Sequence, residues 1–436
     1  MNAGADLNYP ALKRARYAQL VLVIIALFTS MDVHIGKLLI EPMKHELGLS
    51  DAQAGFINVT AGSLAYALFA VPAGLLADRG NRVRLLILAV VMWCVGLFFV
   101  GLSPSLRVLT LGKFILGVAQ AVTYTSALSL FSDYFAPDRR ATAMASYPVG
   151  QTLGSSGAVL FGGLGLSALT ALSANDPGAL HGVTPWRVVS LLFGIASLLI
   201  LPLLLAIREP HRMEVANKAA RGSFGDLWQH RAALVPLYLG MMCLSGLANG
   251  VTVWAVPALM RLYDQKPGDF ALWLSPLALI VGIAGMTLGG QLVQSAMKRE
   301  RREAVLLPAA LAALIGTVGN FMALMPGVMG FAALMAIGNL SYAVAISIPV
   351  IAISFRIPNE LRGFAMGIYV VLFALVGGFA APLVGAVSTA LGGDMMLGRA
   401  IALVGLPFSL GAATCFWIAS RPRAPRAPLN PQVSGE

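Results

Sequence analysis

Apolar residues fill this chain in long unbroken stretches, separated by short polar turns. A hydrocarbon core about 30 Å thick takes roughly 20 apolar residues of helix. On that rule the pattern predicts twelve spanning helices, at 17–40, 54–77, 83–102, 107–135, 140–170, 186–207, 233–262, 270–297, 304–325, 329–356, 363–391 and 395–419. Most of these stretches lack strict two-residue alternation, which argues against a barrel of membrane strands. The longest polar stretch falls between the sixth and seventh spans. It predicts a tail at 1–16, a six-helix bundle at 17–207, a central loop at 208–232, a second bundle at 233–420 and a disordered tail at 421–436. Within the loop, Phe224, Leu227 and Trp228 beside Asp226, His230 and Arg231 predict a short interfacial helix.

Composition narrows the class. Only 11% of residues are charged and 58% are hydrophobic, whereas soluble domains carry about 25% charge. The net charge of +11 does not point to nucleic acid, because its distribution is topological. With the N-terminus placed in the cytoplasm, 22 of the 30 Lys and Arg fall on the inner side and seven on or near the outer side. That bias and an even number of spans predict two cytoplasmic termini, in the inner membrane if the source is bacterial. The first apolar stretch is too long for a signal peptide and is followed by Asp32 and Lys37 rather than a cleavage site. Cys94, Cys243 and Cys415 lie far apart inside spans, predicting neither disulfides nor a metal site.

The two bundles repeat weakly. Phe135-Ala-Pro-Asp-Arg-Arg-Ala-Thr-Ala-Met144 is echoed by Phe355-Arg-Ile-Pro-Asn-Glu-Leu-Arg-Gly-Phe-Ala-Met366. Gly74 ahead of the basic 79–84 loop is echoed by Gly290 ahead of Lys298. A duplicated six-helix unit implies two halves that rock about a site near the membrane midplane.

Asp32 sits in the middle of the first apolar run, and a carboxylate at that depth is costly enough to imply a functional role. Lys113, in the fourth run, is its natural partner. Asp32 lies about eight residues, or ~12 Å, below the outer end of helix 1, and Lys113 about six residues, or ~9 Å, below that of helix 4. At 100° per residue Gly117, Gln120 and Tyr124 share the face of Lys113. His34 and Lys37 fall about 160° and 140° from Asp32. His34 is therefore a weak candidate and Lys37 an expected snorkel to the outer interface. Tyr147 and Gln151 on helix 5 join the candidates for substrate contact. Transferring positions through the repeat adds Asn249 on helix 7, and Asn339 with Tyr342 on helix 10.

Gly74-Leu-Leu-Ala-Asp78-Arg79-Gly80-Asn81-Arg82 resembles the cytoplasmic signature loop of the major facilitator superfamily. The resemblance implies twelve helices in two pseudo-symmetric six-helix bundles, an all-α membrane fold. It also implies a cytoplasmic gate of Gly74, Asp78, Arg79, Arg82 and Asp133, with Asp78 facing the start of helix 11 and the arginines paired to Asp133. That network would lock the cytoplasmic side of an outward-open state. Three segments are similar to spinster-like transporters and their bacterial relatives: Met31-Asp32 with Glu41–Gly55, Asp78-Arg79-Gly80-Asn81-Arg82, and Gly112-Lys113 through Gln120-Ala121. The chain departs from that pattern in having Val33 for an Arg, Lys113 for an Arg and Gln120 for a Glu. Gln120 cannot titrate, so one proton site of those relatives is missing.

Glycine stripes at 150, 154 and 157 and at 282, 285 and 289 predict close helix packing. The resemblance assigns them to the contact of helices 5 and 8 across the halves. No zinc-protease pattern, nucleophile elbow or phosphate-binding loop is present, so neither catalysis nor a cofactor is expected. The expected activity is alternating-access transport, proton-coupled through Asp32, of a lysolipid-like or organic-anion substrate by a monomer in the bilayer. A facilitator or symporter for a small polar carboxylate or sugar is the alternative within that class. A non-transporting sensor or scaffold is the alternative outside it.

Overall fold

The structure, a computed structural model, describes residues 9–212, 224–298, 303–356 and 359–421. Twelve helices long and apolar enough to cross a membrane account for most of them, and no strand occurs among the described residues. In chain order, spans 1–6 are Leu12–Leu38, Asp51–Arg79, Arg82–Gly101, Leu106–Tyr134, Asp138–Asn175 and Pro185–Leu205. Spans 7–12 are Arg231–Leu262, Pro267–Lys298, Leu307–Leu324, Val328–Ile353, Ala365–Ala390 and Asp394–Ala419. They form two pseudo-symmetric bundles of six. Span 1 begins and span 12 ends on one side, here the terminal face; the opposite side is the distal face.

Small residues set the packing within each bundle, since apolar side chains gain little by leaving lipid for one another. A Cβ on Gly112 of span 4 would come within 3.0 Å of the Gly96 carbonyl of span 3, and one on Gly117 would collide with the Gly62 carbonyl of span 2. The glycine stripes work inside the bundles rather than between them, which corrects the expectation. Gly150 and Gly154 of span 5 press on the carbonyls of Val23 and Leu27 in span 1, and Gly285 and Gly289 of span 8 press on Ala343 and Ser347 in span 10. Of the six, only Gly282 has a neighbour in the other bundle, Thr152 of span 5.

The bundles join along two seams that tighten toward the distal face. Spans 5 and 8 are joined by the Ser275 hydroxyl donating to the Ser156 carbonyl at 2.8 Å and by the Gly268 N–H donating to Ser167 Oγ at 2.7 Å. Spans 2 and 11 meet where Thr60 donates to the Gly378 carbonyl at 2.5 Å, and where Gly55 lies against the Ala381–Pro382 backbone. Three spans carry single π-helical turns, at Phe56–Thr60, Ala158–Gly162 and Leu247–Val251. Such turns shift the register of one face and recur at functional sites. Phe224–Gln229 is helical, with Leu227 buried and Trp228 exposed. The tail from 422 and most side chains of the repeated 355–366 segment lie outside the described residues.

Candidate functional site

Span 1 supplies the charged centre of a cavity of about 340 Å³ between the bundles. Thr29, Asp32, Val33 and Lys37 line it, and Gly36 lies on the same broad helical face. Asn58, Ser63 and Tyr66 enter from span 2, Trp93 from span 3, and Lys113, Gly117, Gln120 and Tyr124 from span 4. The second bundle closes it with Asn249, Tyr369, Val370, Phe373 and Ala374. Asp32 and Lys113 interact across this space without closing to ion-pair contact. Asp32 lies beside the Trp93 indole, and Lys113 Nζ rests against Gly36, one helical turn beyond Asp32. A Cβ on Gly36 would stand 3.1 Å from that nitrogen.

A second chamber of about 120 Å³ adjoins the first and shares Thr29, Tyr66, Gln120, Thr123 and Tyr124 with it. Tyr147 and Gln151 complete its wall, so every lining residue can form hydrogen bonds. Tyr124 and Tyr147 meet edge to face, with centroids 5.8 Å apart. Asn249 lies in the π turn of span 7 and donates to the Ser245 carbonyl at 3.2 Å.

Beyond the cavity, at the distal face, an ion-pair cluster crosses the bundles. Arg261, at the end of span 7, donates to Glu41 at 2.7 Å and to both oxygens of Asp51 at 2.8 and 2.9 Å. Lys44 adds contacts to Asp51 at 2.8 Å and to Asp394 at 2.5 Å. Glu41 and Lys44 lie on the short helix Ile40–Leu47, and Asp51 opens span 2 one residue after its capping Ser50. Beside this cluster Glu46 accepts from Thr184, Trp186 and Arg187, fastening the short helix to span 6. Burial disfavours the Glu46 carboxylate, but these donors and the Arg187 charge outweigh it and hold its pKa below the usual glutamate value.

At the terminal face a different network stays within the first bundle. Arg82, buried at the start of span 3, pairs with Asp133 and donates to Glu209 at 2.6 Å and to the Pro210 carbonyl at 3.3 Å. Glu209 also accepts from the Val83 N–H at 2.9 Å. Arg212 donates to the Ala77 and Gly80 carbonyls at 2.8 Å each, capping the end of span 2.

The model of the Major Facilitator Superfamily matches residues 20–382. The chain belongs to this superfamily. Over 433 residues, 95% of this chain and 94% of the relative, it is 26% identical to an MFS-type efflux pump of Mycolicibacterium smegmatis. A 148-residue stretch, 34% of this chain and 33% of the relative, is 28% identical to probable anion transporter 7 of Oryza sativa subsp. japonica. Among solved structures, a bacterial homologue of the human lysosomal transporter Spinster, inward-facing and unoccupied, superposes with a TM-score of 0.78. The two are 24% identical over 94% of this chain and 98% of that one, and the likeness concerns the fold. A nucleoside transporter superposes at 0.67 with 14% identity, covering 93% of this chain and 99% of that one.

For a major facilitator transporter the predicted residues fall into three groups. Asp32, Lys113, Gln120, Tyr124 and Asn249 line the main cavity, and Tyr147 and Gln151 line its side chamber. Asn339 and Tyr342 line neither chamber, although Tyr342 interacts with the cavity-lining Tyr369. Lys37, expected to snorkel to the outer interface, lines the cavity. The cavity face of span 1 is broad and centred near Thr29 and Gly36, so Asp32 and Lys37 occupy its two edges. His34 is turned away from the cavity, its Nδ1 2.9 Å from the Ser30 carbonyl.

Of the gate residues, Arg82 and Asp133 are paired as the resemblance implies. Asp78 and Arg79 are exposed and form no ion pair among the described residues, and most side chains at the start of span 11 lie outside that set. The sequence reading missed Asn58, Tyr66, Trp93, Tyr369 and Phe373 in the cavity, Glu209 at the terminal face, and the whole distal cluster. Polar Asn58 and Tyr66 inside an apolar span were the available signal for the first two.

Proposed function

We propose that this major facilitator protein is a secondary transporter that alternates access to the central cavity, couples transport to protons through Asp32, and moves an amphipathic lipid-like or organic anion. The observation carrying this reading is the company Asp32 keeps. It shares a cavity with Lys113 and Lys37, whose wall combines an apolar portion of Val33, Val59, Leu116, Val370 and Phe373 with hydrogen-bonding groups such as Asn58, Gln120 and Asn249. A proton on Asp32 removes its hold on Lys113 and frees that ammonium for an anionic head group, while the apolar wall receives a tail. The likenesses to an efflux pump and to a bacterial Spinster homologue support transport of such molecules. With both termini cytoplasmic, the sealed distal mouth is the outer one and this conformation faces inward.

Flux in vesicles under an imposed pH gradient tests the assignment. Asp32→Asn is expected to abolish the gradient-driven component and leave exchange of unlabelled for labelled substrate. Unchanged proton-driven flux would remove Asp32 from the mechanism. A second reading, transport of a small polar metabolite, draws on the side chamber, whose lining is entirely polar. A thermal-shift screen separates the two: stabilisation by carboxylates or sugars, and not by alkyl anions, selects the polar substrate.

A further inference from the structure

Lys37 is a cation in the cavity with no carboxylate to answer it. Among the described residues it forms no hydrogen bond and no ion pair, and the one charge interaction it has is repulsion of a protonated His34. The acids nearest in sequence have other partners: Glu41 pairs with Arg261 and Glu46 with Arg187, and Asp32, on the opposite edge of the cavity face, interacts with Lys113. Lys113 Nζ rests against Gly36, the residue before Lys37, so span 1 brings both ammonium-bearing residues to one end of the cavity. Asn58 Oδ1, buried and without a donor, lies near the same glycine and offers an acceptor for a protonated or hydroxylated head group. An unpaired cation inside a membrane protein is costly and is kept where something binds it.

We propose that Lys37 is a second substrate anchor, acting with Lys113 to select an amphipathic anion whose head group carries two negative charges over one that carries a single charge. The inference rests on the anion reading above and deepens it. Charge counting supports the pairing. With Asp32 ionised the three groups sum to +1, and with Asp32 protonated to +2, so a dianion balances the proton-loaded cavity. The other titratable groups around Asp32 do not alter that count: Tyr66, Tyr124 and Tyr369 are neutral phenols, and His34 faces away. A rival explanation is that Lys37 merely complements the dipole in the last turn of span 1. A structural role of that kind would not discriminate between ligands of different charge.

Equilibrium binding to the purified transporter in nanodiscs at pH 7 decides the matter, using decanoate and decyl phosphate, which share a tail and differ in head-group charge. Alkyl phosphate carries about 1.5 to 2 charges there. Wild type is expected to bind decyl phosphate at least tenfold more tightly than decanoate. Lys37→Met and Lys37→Gln should each lose most of that preference with little change in melting temperature, and Lys37→Arg should restore it. A preference unchanged in both neutral variants overturns the proposal, as does wild type binding the two probes equally. Failure of both neutral variants to fold would also overturn it, by making Lys37 a structural residue. If wild type binds neither probe, the anion reading falls first and this inference with it.

Discussion

Arg261→Gln should shift the transporter toward a state open at the distal face. The perturbation is selective because the guanidinium, with its side chain 6% exposed, bridges the bundles to Glu41 and Asp51, which are 4% and 2% exposed. Removing one partner of a buried ion pair costs roughly 3–5 kcal/mol where the pair is formed, since the other partner is left uncompensated. The pairs join opposite bundles, so that cost falls on the distal-closed state and is relieved when the mouth opens. At about 1.4 kcal/mol per factor of ten, a loss of ~3 kcal/mol moves the equilibrium more than a hundredfold.

The assay is accessibility of a reporter cysteine. Ser63→Cys, on the cavity wall, is introduced after Cys94, Cys243 and Cys415 have been replaced, and is labelled by an impermeant thiol reagent from either side. Labelling from the distal side should rise steeply in Arg261→Gln. Asp394→Asn provides the comparison, because the Asp394 side chain is 51% exposed and such pairs contribute about 0–1 kcal/mol. Its effect should stay below roughly fivefold. Equal effects of the two substitutions, or none in Arg261→Gln, would refute the claim that this buried cluster holds the mouth closed.

Other consequences are equally open to measurement. Arg82→Ala should lower thermal stability by roughly 3–5 kcal/mol in denaturation experiments, since it strands both Asp133 and Glu209, whereas Glu209→Gln should cost less because it keeps the acceptor for Val83. Gly117→Ala drives a methyl into the Gly62 carbonyl and should destabilise by about 1–3 kcal/mol, with loss of transport from vesicles. Glu46 has a folded-state pKa below its ordinary value of 4.5, so its contribution is present above that pH and is lost as pH falls through the lowered value. Melting curves recorded against pH should therefore show a shallower acid limb in Glu46→Gln than in wild type.

Hydropathy exposed the spans because each one ends where polar residues begin: 363–391 was expected and Ala365–Ala390 is found. Depth and angle arithmetic brought Asp32, Lys113, Gln120 and Tyr124 together because each pair lies on one helix or at a matching depth. Transfer through the repeat is coarser: it put Asn249 on the cavity wall but Asn339 off it, and an offset wrong by two residues turns a helix by about 200°. Lys37 was misplaced because its angle was taken from Asp32, which is an edge of the cavity face and not its centre. A glycine stripe announces close approach without naming the neighbour, so Gly154 and Gly285 were given to the wrong contact. The distal cluster draws Glu41, Asp51, Arg261 and Asp394 from points spread over most of the chain, and no local spacing encodes such pairing.

The two polar networks differ in what they can control. Arg82 and Asp133 belong to one bundle and Glu209 to the loop that follows it, so they brace the ends of spans 3 and 4 against that loop whichever way the bundles tilt. Arg261 and its acids join two bundles, so their pairing depends on the tilt. Between the networks lies a cavity with one acid and two amines, and closing it at both ends would strip water from whatever charge is left unbalanced. That penalty is several kcal/mol per ion. Under the proposed mechanism a cavity loaded with a proton and a dianion approaches neutrality and can pass through the occluded state. One loaded with the proton alone or the dianion alone retains a net charge and is held back. Coupling then needs no dedicated wire between Asp32 and the distal mouth, since the cost of dehydrating an unneutralised cavity is enough to tie substrate movement to protonation.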